Sequence, residues 1–332
     1  MTTTRSARPG IDPELQPLLD LLPATDLNIS TLPGVRGAAA TPPEGVDLLL
    51  ASGRAVDRRD VKDISPDGEP VSLTVLSPAD RDHSVPAPVV LWLHGGGMVL
   101  GDRFSQVDIP LEWLDRFGAV VVTVDYRLAP EHSGTVPVED CYRALVWVAD
   151  HAPELGVDPA WLVVAGTSAG GGLAAGVTLL ARDRGAPSVA AQVLVCPMLD
   201  HRNNTVSSRQ FAEGPATWSQ AQNAFGWRSV LGEEHREGER HTAVSPYVSP
   251  ALADDLSGLP PTFVDVGSAE VFRDEDVTYA SRIWAAGGEA ELHVWAGGFH
   301  GFDALVPGAR ISVAARQART GWLARLLTTN ER

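Results

Sequence analysis

The sequence predicts an α/β fold: a doubly wound, mostly parallel sheet of about eight strands with a helical cap. Three observations lead there. Short apolar runs alternate with helical stretches along most of the chain. One of the runs, 88–93, is continuously apolar, as strands covered on both faces are, and 119–124 reads as another buried strand. At 162–182 an apolar run, a sharp glycine-rich turn and a helical stretch follow one another, the order of a right-handed parallel crossover.

The elements follow in order. Asp12 and Pro13 supply an N-cap and a first-turn proline. Leu15, Leu18, Leu19 and Leu22 share one helical face, and Pro23 ends the helix. Residues 30–45 read as a Pro- and Ala-rich loop. Strands are expected at 46–50 and 71–76, with a turn at Asp67-Gly68 between them. The strand at 88–93 runs into His94-Gly95-Gly96-Gly97. A helix near 105–117, a strand at 119–124 and a helix at 136–151 come next. The 162–182 unit and a strand at 190–195 complete this half.

The alternation breaks at 199–245, which is polar with scattered aromatics: Phe211, Trp218, Phe225 and Trp227. Helical periodicity covers 217–231. An irregular insertion between sheet strands is a candidate lid, or else a surface excursion with its own small core. The pattern then resumes with a strand at 261–266, a helix at 272–286 ended by Gly287-Gly288, a strand at Ala290–Trp295, a loop at 297–302 and a helix at 312–327. The expected organisation is an arm at 1–45, a core at 46–198, a lid at 199–245 and the core continued at 246–332.

Composition narrows the function. A formal net charge of −16 argues against nucleic acid and anionic membrane surfaces as partners. The two cysteines, Cys141 and Cys196, sit apart in apolar or helical runs, as reduced buried thiols do. No run has the length of a signal-peptide core or a membrane span, so a cytoplasmic protein without stable membrane insertion is expected.

The chemistry centres on Gly166-Thr167-Ser168-Ala169-Gly170. A serine between a strand and a helix, with glycine two positions away on each side, is a nucleophile elbow. A serine hydroxyl needs a base to take its proton and a third group to orient that base. In this fold both belong on loops after later strands, acid first and histidine second. Five histidines follow residue 199: His201, His235 and His241 in the insertion, His293 inside a strand, and His300 in a glycine-flanked loop beyond it. His300 suits the base. Glu270, the first carboxylate past the 261–266 strand, is favoured as the acid; Asp274 and Asp265 are the alternatives. The oxyanion needs fixed N–H donors, which Ala169, Gly96 and Gly97 can supply. Met98, Phe211 and Trp218 are pocket candidates.

His94-Gly95-Gly96-Gly97, the 126–131 stretch Tyr-Arg-Leu-Ala-Pro-Glu, the serine elbow and His300-Gly301-Phe302 occur in this order at the expected strand ends. In these motifs the chain resembles the hormone-sensitive lipase family of α/β-hydrolases, the bacterial family IV esterases, from about residue 45 onward. The resemblance implies a carboxylesterase with a cap made of the arm and the insertion. It implies Ser168 as nucleophile, His300 as base, and Gly96, Gly97 and Ala169 as the oxyanion hole. It also implies that His94 holds the glycine loop and is not a base. The chain departs from the commoner pattern twice: Thr167 replaces an aspartate before the serine, and Glu270 replaces the usual aspartate acid, with Arg273-Asp274-Glu275 in the family register.

The expected activity is hydrolysis of short-chain carboxylic esters, small molecules, with no metal and no organic cofactor. A homodimer through the edge strand Ala290–Trp295 is a family-level expectation. Other acyl substrates (an amide, a lactone or an acetylated drug-like ester) are not separated by sequence. A dinucleotide oxidoreductase would leave His94, Glu270 and His300 without a role, and a ligand-binding member without turnover would leave all three triad residue types idle.

Overall fold

A computed structural model of the chain describes residues 7–22, 26–51, 53–62, 69–82, 84–232 and 244–329. Pro23, the Asp67-Gly68 turn, His235 and His241 lie outside the described residues. The arm forms three short helices, α1 (Gln16–Leu21), α2 (Leu32–Ala39) and α3 (Pro43–Leu50). Then come β1 (Val56–Val61), β2 (Ser72–Pro78), β3 (Ala87–Leu93), α4 (Asp108–Phe117), β4 (Val120–Asp125), α5 (Val136–Asp150), α6 (Ala152–Leu155), β5 (Val157–Thr167), α7 (Ala169–Arg184) and β6 (Ala191–Val195). The insertion carries α8 (Val206–Gln210) and α9 (Gln220–Leu231). The chain closes with β7 (Thr262–Gly267), α10 (Arg273–Ala285), β8 (Ala290–Trp295), α11 (Phe302–Leu305) and α12 (Arg310–Thr329).

One eight-stranded sheet has the order β1-β2-β4-β3-β5-β6-β7-β8. β2 runs antiparallel to β1 and β4; from β4 to β8 every pairing is parallel. Along β3, Val89, Leu91 and Leu93 enter a core shared with α5, α7 and α10, while Val90 and Trp92 enter one shared with α4 and α12. Both faces are covered, which is why the strand reads as an unbroken apolar run.

Three elements differ from expectation. The 30–45 stretch read as a loop forms helix α2, with Pro33 in its first turn. The strand expected at 46–50 is the second half of helix α3, so the arm–core boundary placed at 45/46 falls inside a helix. Pro43 presets the first turn, the leucines are good helix formers, Val46 is buried, and Leu49 and Leu50 pack against the second core. The first strand is β1, whose Val-Asp-Arg-Arg-Asp-Val sequence has no apolar alternation. It is the sheet's edge, where charged side chains discourage pairing with another chain.

Candidate active site

The strands β3, β5, β7 and β8 point their C-terminal ends at one place. β5 ends at Thr167, and Ser168 follows with φ of 56°, before α7 begins at Ala169. The strain is tolerated because Ser168 is held on both sides. Its N–H donates to the Val195 carbonyl at 2.8 Å, and its carbonyl accepts from Met198 at 2.9 Å and Gly172 at 3.0 Å. A Cβ at Gly166 would overlap the Gly170 carbonyl, and one at Gly170 would overlap the Leu93 carbonyl. Glycine is therefore required on both sides by close backbone approach and not by handedness.

β7 delivers Glu270, and the loop after β8 delivers His300. The two meet at 2.6 Å, His300 Nδ1 to Glu270 Oε2, and His300 Nε2 lies 2.9 Å from Ser168 Oγ. An ionised carboxylate only accepts, so it assigns the proton to Nδ1 and leaves Nε2 to accept from the serine hydroxyl. Glu270 is buried, and its Oε1 also accepts the Gly267 N–H at 3.0 Å. Asp274 is engaged elsewhere: its carboxylate accepts from Ser207 N–H at 2.7 Å and from Arg273 Nε at 2.8 Å. Asp265 is paired with Arg319 and Trp295.

The glycine loop backs onto the serine, and a Cβ at Gly95 would meet Thr167 O and Ser168 Cβ at 3.2 and 3.3 Å. Gly96 and Gly97 have φ of 118° and 63°. Ala169 opens α7, whose positive end favours an anion there. His94 is buried and stacked on Tyr126 at 4.2 Å, with Nδ1 2.8 Å from the Gly95 carbonyl. Burial holds its imidazole below its ordinary pKa, so it stays neutral and braces the loop.

Trp218 and Phe211 are buried, and a Cβ at Gly97 would meet the Trp218 ring at 2.7 Å. A cavity of about 190 Å³ lies beside His300 and Glu270, walled by Phe211, Trp218 and Phe299 with Arg8 and Leu19 of the arm. Met98 is buried in the larger core and is not part of that wall. The arm also reaches the insertion directly: Arg8 donates to the carbonyls of Gln210 at 2.7 Å and Pro215 at 2.9 Å, and its guanidinium stacks on Phe211 at 4.5 Å.

Sequence reading missed several supports. Arg36 of α2 donates to the Val99 and Ala129 carbonyls, both at 2.7 Å, and pairs bidentately with Glu131 at 2.8 Å. Gln106 accepts the Gly95 N–H at 3.0 Å. Thr167 Oγ1 lies 3.7 Å from the thiol of Cys196, a contact with no signal in the sequence pattern. Cys196, Glu270 and His300 bring ligand-type atoms within 4.8 Å of one another. Burial pushes the Cys196 thiol well up, and Glu270 and His300 are already bonded to each other, so the trio suits a hydrogen-bonded pair better than a metal.

The family described as alpha/beta hydrolase fold matches residues 90–304. The chain is 36% identical over 318 residues to carboxylesterase NlhH of Mycobacterium tuberculosis, covering 93% of this chain and 95% of that protein. It is 32% identical over 320 residues to esterase LipI of the same organism, covering 93% and 94%. Among solved structures, a bacterial heroin esterase is similar with a TM-score of 0.86 and 38% identity, over 96% of this chain and 98% of that one. No helix among the described residues is long and apolar enough to cross a membrane.

Proposed function

The chain belongs to the α/β-hydrolase family, in its hormone-sensitive-lipase-like branch, and is a carboxylic ester hydrolase; from this we propose that it cleaves short-chain acyl esters through an acyl-enzyme on Ser168. The observation that carries the reading is the run of hydrogen bonds from Ser168 through His300 to Glu270, at 2.9 and 2.6 Å. Ser168 Oγ attacks the ester carbonyl while His300 Nε2 takes its proton. Glu270 stabilises the imidazolium that forms and keeps the ring in its Nδ1–H tautomer. The N–H groups of Gly96, Gly97 and Ala169 receive the oxyanion. His300 then returns the proton to the departing alcohol, and a water activated the same way frees the acyl group.

Trp218 against Gly97 supports small acyl groups, because the indole occupies space beside the carbonyl site. In this reading the arm and the 199–245 insertion together form the cap. A cytoplasmic location and a homodimer through β8, the last strand of the sheet, complete it; sedimentation velocity checks the dimer. The test of the mechanism is p-nitrophenyl butyrate turnover. Ser168→Ala is expected to abolish it, and Glu270→Gln to lower kcat by about 10²- to 10⁴-fold. Equal rates in wild type and Ser168→Ala would sink the proposal. The similarity to a bacterial heroin esterase favours one further substrate class, acetylated aromatic esters, which the same assay with phenyl acetate samples.

A further inference from the structure

Arg319 of α12 is 1% exposed and is clasped by two buried carboxylates. Its Nη2 donates to Asp265 Oδ2 at 2.9 Å, and Nη1 and Nη2 both donate to Asp303 Oδ2 at 3.1 Å. Asp265 Oδ2 also accepts from Trp295 Nε1 of β8 at 3.2 Å. The position of these carboxylates matters. Asp265 lies on β7, the strand that leads into the Glu270 turn. Asp303 lies in α11, directly behind the His300 loop. One guanidinium therefore spans the supports of both halves of the Glu270–His300 pair.

The cluster also borders that pair. A cavity of about 10 Å³, the size of a single water, is bounded by Cys196, Asp265, Glu270, Asp303 and Arg319. Asp265 Oδ1 and Arg319 Nε are buried side-chain atoms without a hydrogen-bond partner among the described residues. Burial works against the charge on Arg319, but Asp265 and Asp303 outweigh it and hold the guanidinium protonated. Burial raises Asp265 despite Arg319 beside it. A buried ion cluster of this kind is a weak source of net stability against an apolar replacement, so its value is better sought in the geometry it imposes.

We infer that Arg319 is a positioning residue for ester hydrolysis, setting the spacing between the Glu270 turn and the His300 loop. The inference rests on the proposed roles of Ser168, His300 and Glu270. Arg319 touches neither substrate nor the reacting atoms; it acts through Glu270 and His300. A misplacement of about 1 Å at such a pair can cost about 10²-fold in rate.

The test is a double-mutant cycle on p-nitrophenyl butyrate with Arg319→Met, Glu270→Gln and the double variant, their folding checked by circular dichroism and thermal melts. Arg319→Met is expected to lower kcat by about 10- to 100-fold with KM within about twofold. In the Glu270→Gln background the same change is expected to cost less than about twofold, because the contact it serves is already broken. Arg319→Lys, which restores the charge without the fork, should recover part of kcat. Asp303→Asn keeps the guanidinium paired with Asp265 and should show a smaller loss with the same dependence on Glu270. Equal losses in the two backgrounds would mark a general packing role and overturn the inference, as would unchanged kcat in both Arg319→Met and Asp303→Asn. Full activity of Glu270→Gln would overturn both this inference and the proposed function. A crippled Glu270→Gln beside a fully active Arg319→Met would overturn this inference alone.

Discussion

At the residue scale, Glu270 has one methylene more than an aspartate, and the fold absorbs it at the start of the turn. Its Oε1 is anchored on the Gly267 N–H, which leaves Oε2 to face His300. Trp218 is the residue most exposed to a direct test. Its ring fills the space beside Gly97, and its indole Nε1 lies 3.4 Å from Asn223 Oδ1. Trp218→Ala is expected to raise kcat/KM for p-nitrophenyl octanoate relative to butyrate by about tenfold, the scale that a few methylenes command in an apolar pocket. Measuring the ratio across chain lengths checks it; an unchanged ratio would remove Trp218 from the acyl site.

At the scale of elements, α2 is tied to the glycine loop by one side chain. Arg36 joins the Val99 and Ala129 carbonyls, and Ala129 in turn donates to the Met98 carbonyl at 2.9 Å. The loop that offers Gly96 and Gly97 is thereby braced from the arm and from the segment after β4. Arg36→Met is expected to lower kcat by about three- to tenfold through a looser loop, a fraction of the loss that a full misplacement brings. The ion pair itself should add little to the thermal midpoint, because the Glu131 side chain is 55% exposed, against 27% for Arg36. Steady-state kinetics beside a melt separates the two effects. Nothing in the sequence pointed to Arg36, because a lone arginine in a Pro- and Ala-rich stretch has no local pattern. The strands β3 to β7 were legible, since burial on both faces writes itself as largely apolar runs. β1 was not, because an edge strand held by backbone pairing needs no apolar face, and α3 was misread because a short apolar run satisfies both periods.

At the scale of the whole molecule, the arm and the insertion meet over the site although residues 8 and 210 are far apart in the chain. Leu15 and Leu19 pack with Phe299 and Phe302, so the arm also backs the histidine loop. Beneath the site lies a concentration of buried acid. Burial, then the neighbouring carboxylates of Glu275, Glu270 and Asp265, holds Asp276 well above its ordinary value, and neither of its oxygens has a hydrogen-bond partner among the described residues. The folded chain thus keeps a proton that the unfolded chain releases near about pH 4. Stability from this site is full below that value and is lost as pH rises toward the folded pKa. Asp276→Asn removes the titration at nearly constant shape. Its gain in melting temperature over wild type should therefore grow between about pH 5 and about pH 8; a flat or shrinking difference would contradict this.

The sequence alone determined the layered α/β architecture and the strand ends at which Ser168, Glu270 and His300 stand. It could do so because strand burial, glycine at close backbone approaches and the order of loops along a parallel sheet are local or topological properties. Only the tertiary structure decided which carboxylate faces His300, that Trp218 lies on Gly97, and that Arg8, Arg36 and Arg319 bind distant segments. Those are distances between side chains hundreds of residues or several elements apart. They depend on how far each strand extends and how each helix rotates, and no periodicity along the chain records that.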